Sequence, residues 1–201
     1  MPPATLSLEP LDEANLSTFA ALLSGRGFGG CFCAVWTAHG SDWAQRCANP
    51  AKPNLEETTR RVLAGEHVGF LVWAAGEGSR RLVAWTGAGP KRGFPLLATK
   101  LGSRLSPTSA EVWSIGCLAI ASEERGQGLS LGVVQALAQE AARQGASAIE
   151  AYPTDPWDEP RSYRGARSTF ARAGFQVVAR DPDGGSQILL MRLELTGAPL
   201  S

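Results

Sequence analysis

The chain is expected to fold as an α/β protein, with a mixed, mostly antiparallel central sheet flanked by helices, and two features of the sequence lead there. The runs "EVWSIGCLAI", "LSLGVVQALAQEAARQG" and "ASAIEAYP" follow one another as strand, amphipathic helix and strand, an order that implies a right-handed parallel crossover. On either side, "HVGFLVWAA" and "RLVAWTGAG" are joined by the turn "GEGSR", and "FQVVAR" and "SQILLMRLEL" by the turn "DPDGG". Such hairpins supply antiparallel neighbours. With 44% hydrophobic residues in 201, one core is affordable, and a single domain over residues 1–201 is expected.

In chain order, "LDEANLSTFAALLS" (Leu11 to Ser24) has apolar residues at helical spacing and is broken by "GRGFGG", so a helix and then a loop are expected. A second helix is expected at "NLEETTRRVLAG": Asn54 as its cap, Glu56 and Glu57 in the first turn where they favour the helix dipole, and Gly65 closing it. The hairpin follows. Residues 90–110, "PKRGFPLLATKLGSRLSPTSA", show no clean period. They read as a long surface loop or a loop holding a short helix, and loops of that length are more often functional than idle. After the crossover, "TDPWDEPRS" leads to a shorter helix, "YRGARSTFARAG", and then the last hairpin. The sequence has no internal repeat and no low-complexity segment.

Charge is balanced, 19 Lys plus Arg against 19 Asp plus Glu, with no basic tail to track a phosphate backbone, so nucleic acid is not an expected partner. The start "MPPATLSLEP" lacks a basic segment followed by an apolar one, and no apolar run approaches the roughly 18 residues that cross a bilayer. A soluble, cytoplasmic protein without a membrane partner is expected. Four cysteines are too few and too unevenly placed for a disulfide framework, so free thiols are expected. Cys31, Cys33, His39 and Cys47 offer ligand types for zinc without the paired Cys-x-x-Cys spacing of a structural site, and no metal is expected.

The stretch "ASEERGQGLSLGVV", Ala121 to Val134, leaves an apolar strand and enters a helix through two glycines. A helix N-terminus leaves about four backbone N–H groups unpaired and carries partial positive charge, so the amides of Gly126 to Ser130 form a candidate anion site. Glycine at 126 and 128 removes Cβ atoms that would block a phosphate, and Arg125 adds a forked cationic donor. The alternative is an ordinary strand-to-helix turn. Two other phosphate motifs do not apply: no Lys-Ser/Thr follows the glycines, and "GEGSR" leads into a strand.

The run "LAIASEERGQGLS" resembles the acetyl-CoA signature of the GNAT superfamily of N-acetyltransferases: a strand, then Arg/Gln-x-x-Gly-x-Gly/Ala opening a helix. Arg125, Gly128 and Ser130 occupy those places, with serine where Gly or Ala is usual. A second block agrees, since "YRGARSTFARAGF" supplies Ala166, Gly174 and Phe175 in register with the family's Asn-x-x-Ala-x-x-Leu-Tyr-x-x-x-Gly-Phe. The resemblance covers roughly residues 66–195; over the first 65 residues it is less specific, although "CFCAVW" is similar to a Cys-x-Cys segment near the N-terminus of some members.

The resemblance implies a GNAT fold in which the signature strand splays from the next parallel strand to form an acetyl-CoA cleft. It implies pantetheine against the backbone of Leu118, Ala119 and Ile120, and pyrophosphate on the amides of Arg125, Gly126, Gln127, Gly128, Leu129 and Ser130. Tyr163, Ala166 and Phe170 complete the cofactor-binding set. An amine then attacks the thioester directly in a ternary complex, with a backbone N–H near Leu118 polarising the thioester oxygen and alignment of two reactants supplying much of the remainder. A second copy of the chain is a partner the resemblance allows.

Acid and base are less defined. Many members use a tyrosine four residues before Gly-Phe to protonate the departing thiolate, and Phe170 stands there. Tyr163, seven residues earlier and about two helical turns away on a similar face, either supplies the hydroxyl or is a loop tyrosine. For the base, the position of a glutamate in histone-acetylating members is here about Ser114; Glu111, at the start of that strand, is the nearest carboxylate upstream and otherwise a solvated strand-end charge. Glu150 alternates either into the cleft or to solvent. His67 reads as surface or satisfied core, and His39 as a loop residue without a partner in the sequence. Asp155, Asp158 and Glu159 lie beyond the C-terminal end of a strand, where an α/β cleft opens, and either attract a cationic acceptor or are ordinary loop acids. Six tryptophans are many for this length: Trp73, Trp85 and Trp113 fall in strands and read as core, while Trp36, Trp43 and Trp157 fall in loops. Phe32 and Trp36, with Tyr152 and Asp155, are the candidate acceptor-binding residues.

The leading expectation is an acetyl-CoA-dependent N-acetyltransferase acting on a primary amine of a small molecule. Its rivals are a protein or peptide N-acetyltransferase and a non-catalytic acyl-CoA-binding sensor.

Overall fold

A computed structural model describes residues 5–25, 27–37, 43–48, 52–76, 78–97, 111–157, 163–180 and 187–195. Seven strands form one sheet: β1 (Leu6–Pro10), β2 (Phe70–Ala75), β3 (Arg80–Pro90), β4 (Val112–Ile120), β5 (Ala148–Ala151), β6 (Gln176–Arg180) and β7 (Leu189–Glu194), in the order β1-β2-β3-β4-β5-β7-β6. Among the described residues only β4 and β5 pair in parallel, as the strand, helix, strand order requires. The helices are α1 (Leu16–Leu23), α2 (Trp43–Ala48), α3 (Lys52–Leu63), α4 (Leu129–Arg143) and α5 (Arg167–Arg172). Among the described residues no helix is long and apolar enough to cross a membrane.

The sheet separates two cores. On one face α4 packs Val133, Val134, Leu137 and Ala141 against Trp113, Ile115, Leu118 and Ile149. On the other, Phe19, Leu23, Val62, Leu71, Trp85 and Cys117 form a second cluster, continued by Trp36, Phe94, Tyr152 and Leu190. Full burial of one such large apolar side chain contributes about 1.5–3 kcal/mol.

Several local expectations need correction. The strand β1 and the helix α2 were not anticipated: each is short, with five and six residues. The helix expected over Leu11 to Ser24 opens as a 3-10 turn at Glu13–Asn15, because Asp12 accepts from the Asn15 backbone N–H and the Asn15 side chain accepts from Asp12. Asn54 is not a cap. The helix α3 begins two residues earlier, and the buried Asn54 side chain accepts from Arg46 Nε at 2.9 Å and donates to the Gly30 carbonyl at 2.9 Å. Gly65 does close this helix: its φ is +75°, its N–H reaches Val62, and that of Glu66 reaches Arg61, the pattern of a left-handed C-terminal cap. In the 90–110 segment, Lys91–Gly93 and Pro95–Leu97 are short helical turns; residues 98–110, like the 181–185 turn, lie outside the described residues.

One irregularity positions the site. Ala88 pairs with Ile115 and Gly87 with Cys117, so Gly116 is an extra residue that bulges β4. The pairing of β4 with β5 ends at the same level, at Ile115 opposite Ala151. Trp36 holds the bulge, donating from Nε1 to the Gly116 carbonyl at 3.2 Å. A Cβ on residue 116 would lie 2.6 Å from that indole nitrogen, so only glycine fits.

Candidate functional site

Beyond the bulge the backbone of β4 is exposed on one edge. Ala121 donates to the Val83 carbonyl at 2.9 Å, and the antiparallel register runs back from there through Ala119 opposite Trp85 and Cys117 opposite Gly87. Hydrogen-bonded and non-bonded pairs alternate in such a ladder. Leu118 and Ile120 therefore turn their N–H and C=O groups away from β3, towards the side that β5 has left. A cleft of about 380 Å³ opens there, lined by Leu118, Ala119, Ile120, Glu124, Arg125, Gly126, Gly128, Leu129 and Ser130 on the strand side and by Trp157, Tyr163, Gly165, Ala166 and Thr169 opposite. Gly27 and Phe28 close one end.

The loop from β4 to α4 explains its glycines. Ser122–Glu124 makes one 3-10 turn, and Glu124, buried, pairs with Arg81. Gly126 and Gly128 then have φ of +79° and +74°, values that favour glycine. A Cβ at either would meet nothing within 4 Å. The turn therefore requires the glycines, and the space beside them is open. Gly128 is the N-cap of α4, so the first amides of that helix have no intrahelical acceptor, and the positive end of a 15-residue helix points at the cleft.

The side chains of this loop divide. Arg125 donates from Nε to the Ile120 carbonyl at 3.2 Å and lies 5.3 Å over the Phe28 ring. The nearest guanidinium nitrogen would be 3.0 Å from a Cβ on Gly27, so Arg125 joins the strand end to the 27–28 turn and walls the cleft. Gln127 turns back, donating to the Glu123 carbonyl and the Glu124 carboxylate, both at 3.4 Å. It braces the loop and is not in the lining.

Across the cleft, Gly165 has φ +78° and α5 starts only at Arg167. Tyr163 thus precedes the helix, and the expectation that it shares a helical face with Phe170 does not hold. Its place is nevertheless in the lining. Burial pushes its hydroxyl above the usual phenol range, partly opposed by the Arg164 charge, whose guanidinium lies 5.4 Å over the Tyr163 ring and 5.0 Å over Trp36. The Tyr163 hydroxyl therefore keeps its proton at neutral pH. Phe170 is fully buried beneath the cleft; a Cβ on Gly165 would be 2.9 Å from its ring and 3.3 Å from Leu118. It supports the floor and does not line it.

The acceptor-side expectations fare differently. Tyr152 is fully buried, its hydroxyl bonded to Glu150 Oε2 at 2.9 Å and to Ser114 Oγ at 3.0 Å; burial and the Glu150 charge push its pKa well above the usual range. Glu150 faces neither cleft nor solvent. Lys91 Nζ lies 2.7 Å from one oxygen and Arg192 Nη1 3.0 Å from the other, with Lys91 and Glu150 both fully buried. Phe32 and Trp36 are core residues, each 2% exposed. Asp155 is half-buried in ion pairs with Arg167 at 2.8 Å and Arg180 at 3.9 Å. Glu111 sits in the turn before β4, where its carbonyl accepts from Ser147. Seven residue steps along the strand, about 23 Å at the usual rise, separate it from Leu118, so it does not reach the cleft. His67 is held by Ala88 at 2.8 Å and by the rings of Phe70 and Trp113. His39, Asp158 and Glu159 lie outside the described residues, as does the side chain of Trp43.

Gly27, Phe28, Gly165 and Thr169 line the cleft without having been singled out. In the sequence the glycine-rich "GRGFGG" signals a helix break and a loop, and its density of glycines is the one local sign of a site there.

A family model for the acetyltransferase (GNAT) family matches residues 36–175, and the chain belongs to that family. It is an acyltransferase with acetyl-CoA as its donor. Among solved structures, the aminoglycoside acetyltransferase AAC(6')-Ib in complex with coenzyme A is 17% identical with a TM-score of 0.56, over 94% of this chain and 95% of that one. AAC(6')-Ib in complex with ribostamycin and coenzyme A gives 18% and 0.58 over 94% and 93%. The PaiA N-acetyltransferase of Thermoplasma acidophilum in complex with coenzyme A gives 10% and 0.53 over 94% and 99%. At these identities the likeness is one of fold. No curated protein matches the sequence.

Proposed function

We propose that the protein acetylates a primary amine of a small molecule, with acetyl-CoA and the amine bound together. The carrying observation is the continuity of the exposed β4 edge at Leu118 and Ile120 with the glycine loop and the positive end of α4. The fit of these residues to acetyl-CoA is chemical: a strand edge offers N–H and C=O groups to the amides of a pantetheine arm, and open amides at a helix start suit a diphosphate. Leu118, Ala119 and Ile120 would hold the arm, and Arg125 to Ser130 the diphosphate, with Tyr163 and Ala166 on the opposite wall.

When bound, acetyl-CoA supplies an activated acetyl thioester. The remaining work is the chain's own. The Leu118 N–H, fixed by a strand and needing no rearrangement, polarises a carbonyl oxygen placed against it. Tyr163 lines the cleft and keeps its proton at neutral pH, and it would give that proton to a departing sulfur. Phe170 packs beneath Gly165, close to Leu118, and supports the floor of that site.

Calorimetric titration with acetyl-CoA, followed by free-thiol release over a panel of small amines and peptides, tests the reading. Binding with thiol release for a small amine is expected. Release with peptides alone would replace the acceptor class, binding without any release would favour an acyl-CoA sensor, and no binding would overturn the assignment of the cleft.

A further inference from the structure

Among the described residues Trp157 is the one exposed aromatic side chain, at 54%, and it stands in the wall of the cleft. No step of acetyl transfer uses it. A large apolar side chain left open to water inside a binding cleft is a surface for what enters there. The segment that carries it is held. Thr154 bridges to Ile188, the Asp155 N–H donates to the Gln187 carbonyl at 2.9 Å, and the Asp155 carboxylate pairs at 2.8 Å with Arg167 at the start of α5. The indole is thus presented by residues fixed two and three positions before it, which leaves little to be ordered on binding.

The sheet register gives its level along the cleft. The parallel strands β4 and β5 part after Ile115 opposite Ala151. Ala121, just past the end of β4, is the sixth residue beyond Ile115, and Trp157 is the sixth beyond Ala151. Leu118 is only the third. Trp157 therefore belongs with the start of the glycine loop, at the diphosphate end, and not with the thioester end at Leu118. The residues that share its wall, Ala166 and Thr169, flank the first turn of α5, to which Asp155 ties it.

The chemistry of acetyl-CoA decides what meets the indole there. On one side of the diphosphate runs the pantetheine arm, which is not aromatic. On the other side is a nucleoside, and its purine is the only aromatic ring in the molecule. A purine face stacks on an exposed aromatic side chain with little demand on hydrogen-bond direction. A cationic amine would also suit an indole face, but the reacting amine must reach the thioester, three residues back along the strand.

We propose that Trp157 is the stacking platform for the purine of acetyl-CoA, and so the residue by which this chain distinguishes the complete donor from a thioester without the nucleoside. The proposal rests on the reading that the glycine loop before α4 holds the diphosphate, and it is independent of the acceptor.

Calorimetric titration of the full chain with acetyl-CoA and with S-acetylphosphopantetheine, which lacks the nucleoside, tests it in the wild type, Trp157→Ala and Trp157→Phe. Because the side chain is exposed, both variants should keep the fold by circular dichroism. Trp157→Ala should bind acetyl-CoA at least about fivefold more weakly, the size of one base stacked on one aromatic ring. Its affinity for S-acetylphosphopantetheine should stay within about twofold of the wild type, as for an ordinary surface substitution. Trp157→Phe, which keeps a ring face, should recover most of the loss. Unchanged acetyl-CoA affinity in Trp157→Ala, or an equal loss for both ligands, overturns the proposal while leaving the cleft assignment standing. Failure of the wild-type protein to bind acetyl-CoA overturns both.

Discussion

The strand β4 serves two regions that are built along its length by opposite means. Beyond its bulge, at Leu118 to Ile120 and on into Gly126–Ser130, the working groups are backbone amides and carbonyls left over by the geometry. Before the bulge, at Ser114, the strand contributes to a side-chain network of Tyr152, Glu150, Lys91 and Arg192 that is closed to solvent except at Arg192. The first region offers unpaired donors to a ligand; the second has its donors and acceptors matched within the protein. An open backbone edge is what a site needs. A buried ion cluster, by contrast, holds β5, β7 and the Lys91 turn in one arrangement.

Substitutions that separate the two regions sharpen this contrast, and the largest effect belongs to the closed one. Glu150→Ala removes the carboxylate from a completely buried Lys91. Breaking one side of such a pair typically costs about 3–5 kcal/mol, so urea unfolding should show a loss of that order. Gly128→Val acts at the open region. Valine is strained at φ +74° and its side chain would stand in the space a diphosphate needs. Charge-assisted hydrogen bonds contribute about 1.5–3 kcal/mol each, so calorimetry should show acetyl-CoA binding at least about a hundredfold weaker, with the fold retained by circular dichroism. A fully retained affinity would contradict the role of the loop.

Tyr163→Phe should lower kcat by about tenfold, at or below the lower end for acid catalysis because a thiolate leaves readily, with acetyl-CoA affinity nearly unchanged. Its hydroxyl is held above the ordinary 10, so the wild-type kcat should persist past pH 10 before falling as the phenol ionises, and that alkaline limb should vanish in the variant. The smallest effect is expected for Glu111→Gln, which leaves the cleft untouched: kcat/KM should stay within about twofold in a thiol-release assay, the size of the usual surface substitution.

The open region was legible in the sequence because its requirements are local. Two left-handed residues demand glycine, a helix start follows at once, and an apolar strand precedes, so Gly126 to Ser130 stood out as a candidate anion site with an ordinary turn as the alternative, and the family resemblance decided between them. Side-chain roles were not legible in that way. Alternation puts Glu150 and Tyr152 on one face of β5, but whether that face meets a ligand or a lysine depends on Lys91 and Arg192, 59 and 42 residues away. Phe32 and Trp36 were read as loop aromatics facing a ligand, and contacts of the same long range with Thr58 and Gly116 bury them. The bulge at Gly116 was equally hidden, since only the register against β3 shows the extra residue.

The central claim is that acetyl-CoA is held by backbone groups of β4 and of the loop before α4. Residue-resolved amide hydrogen exchange, measured with and without saturating acetyl-CoA, tests it at those groups. The account predicts marked slowing at Leu118, Ile120 and the amides from Gly126 to Ser130, with Ser114 and Glu150 unchanged. Saturable binding that leaves the Leu118 and Ile120 amides exchanging at their free rates would contradict it.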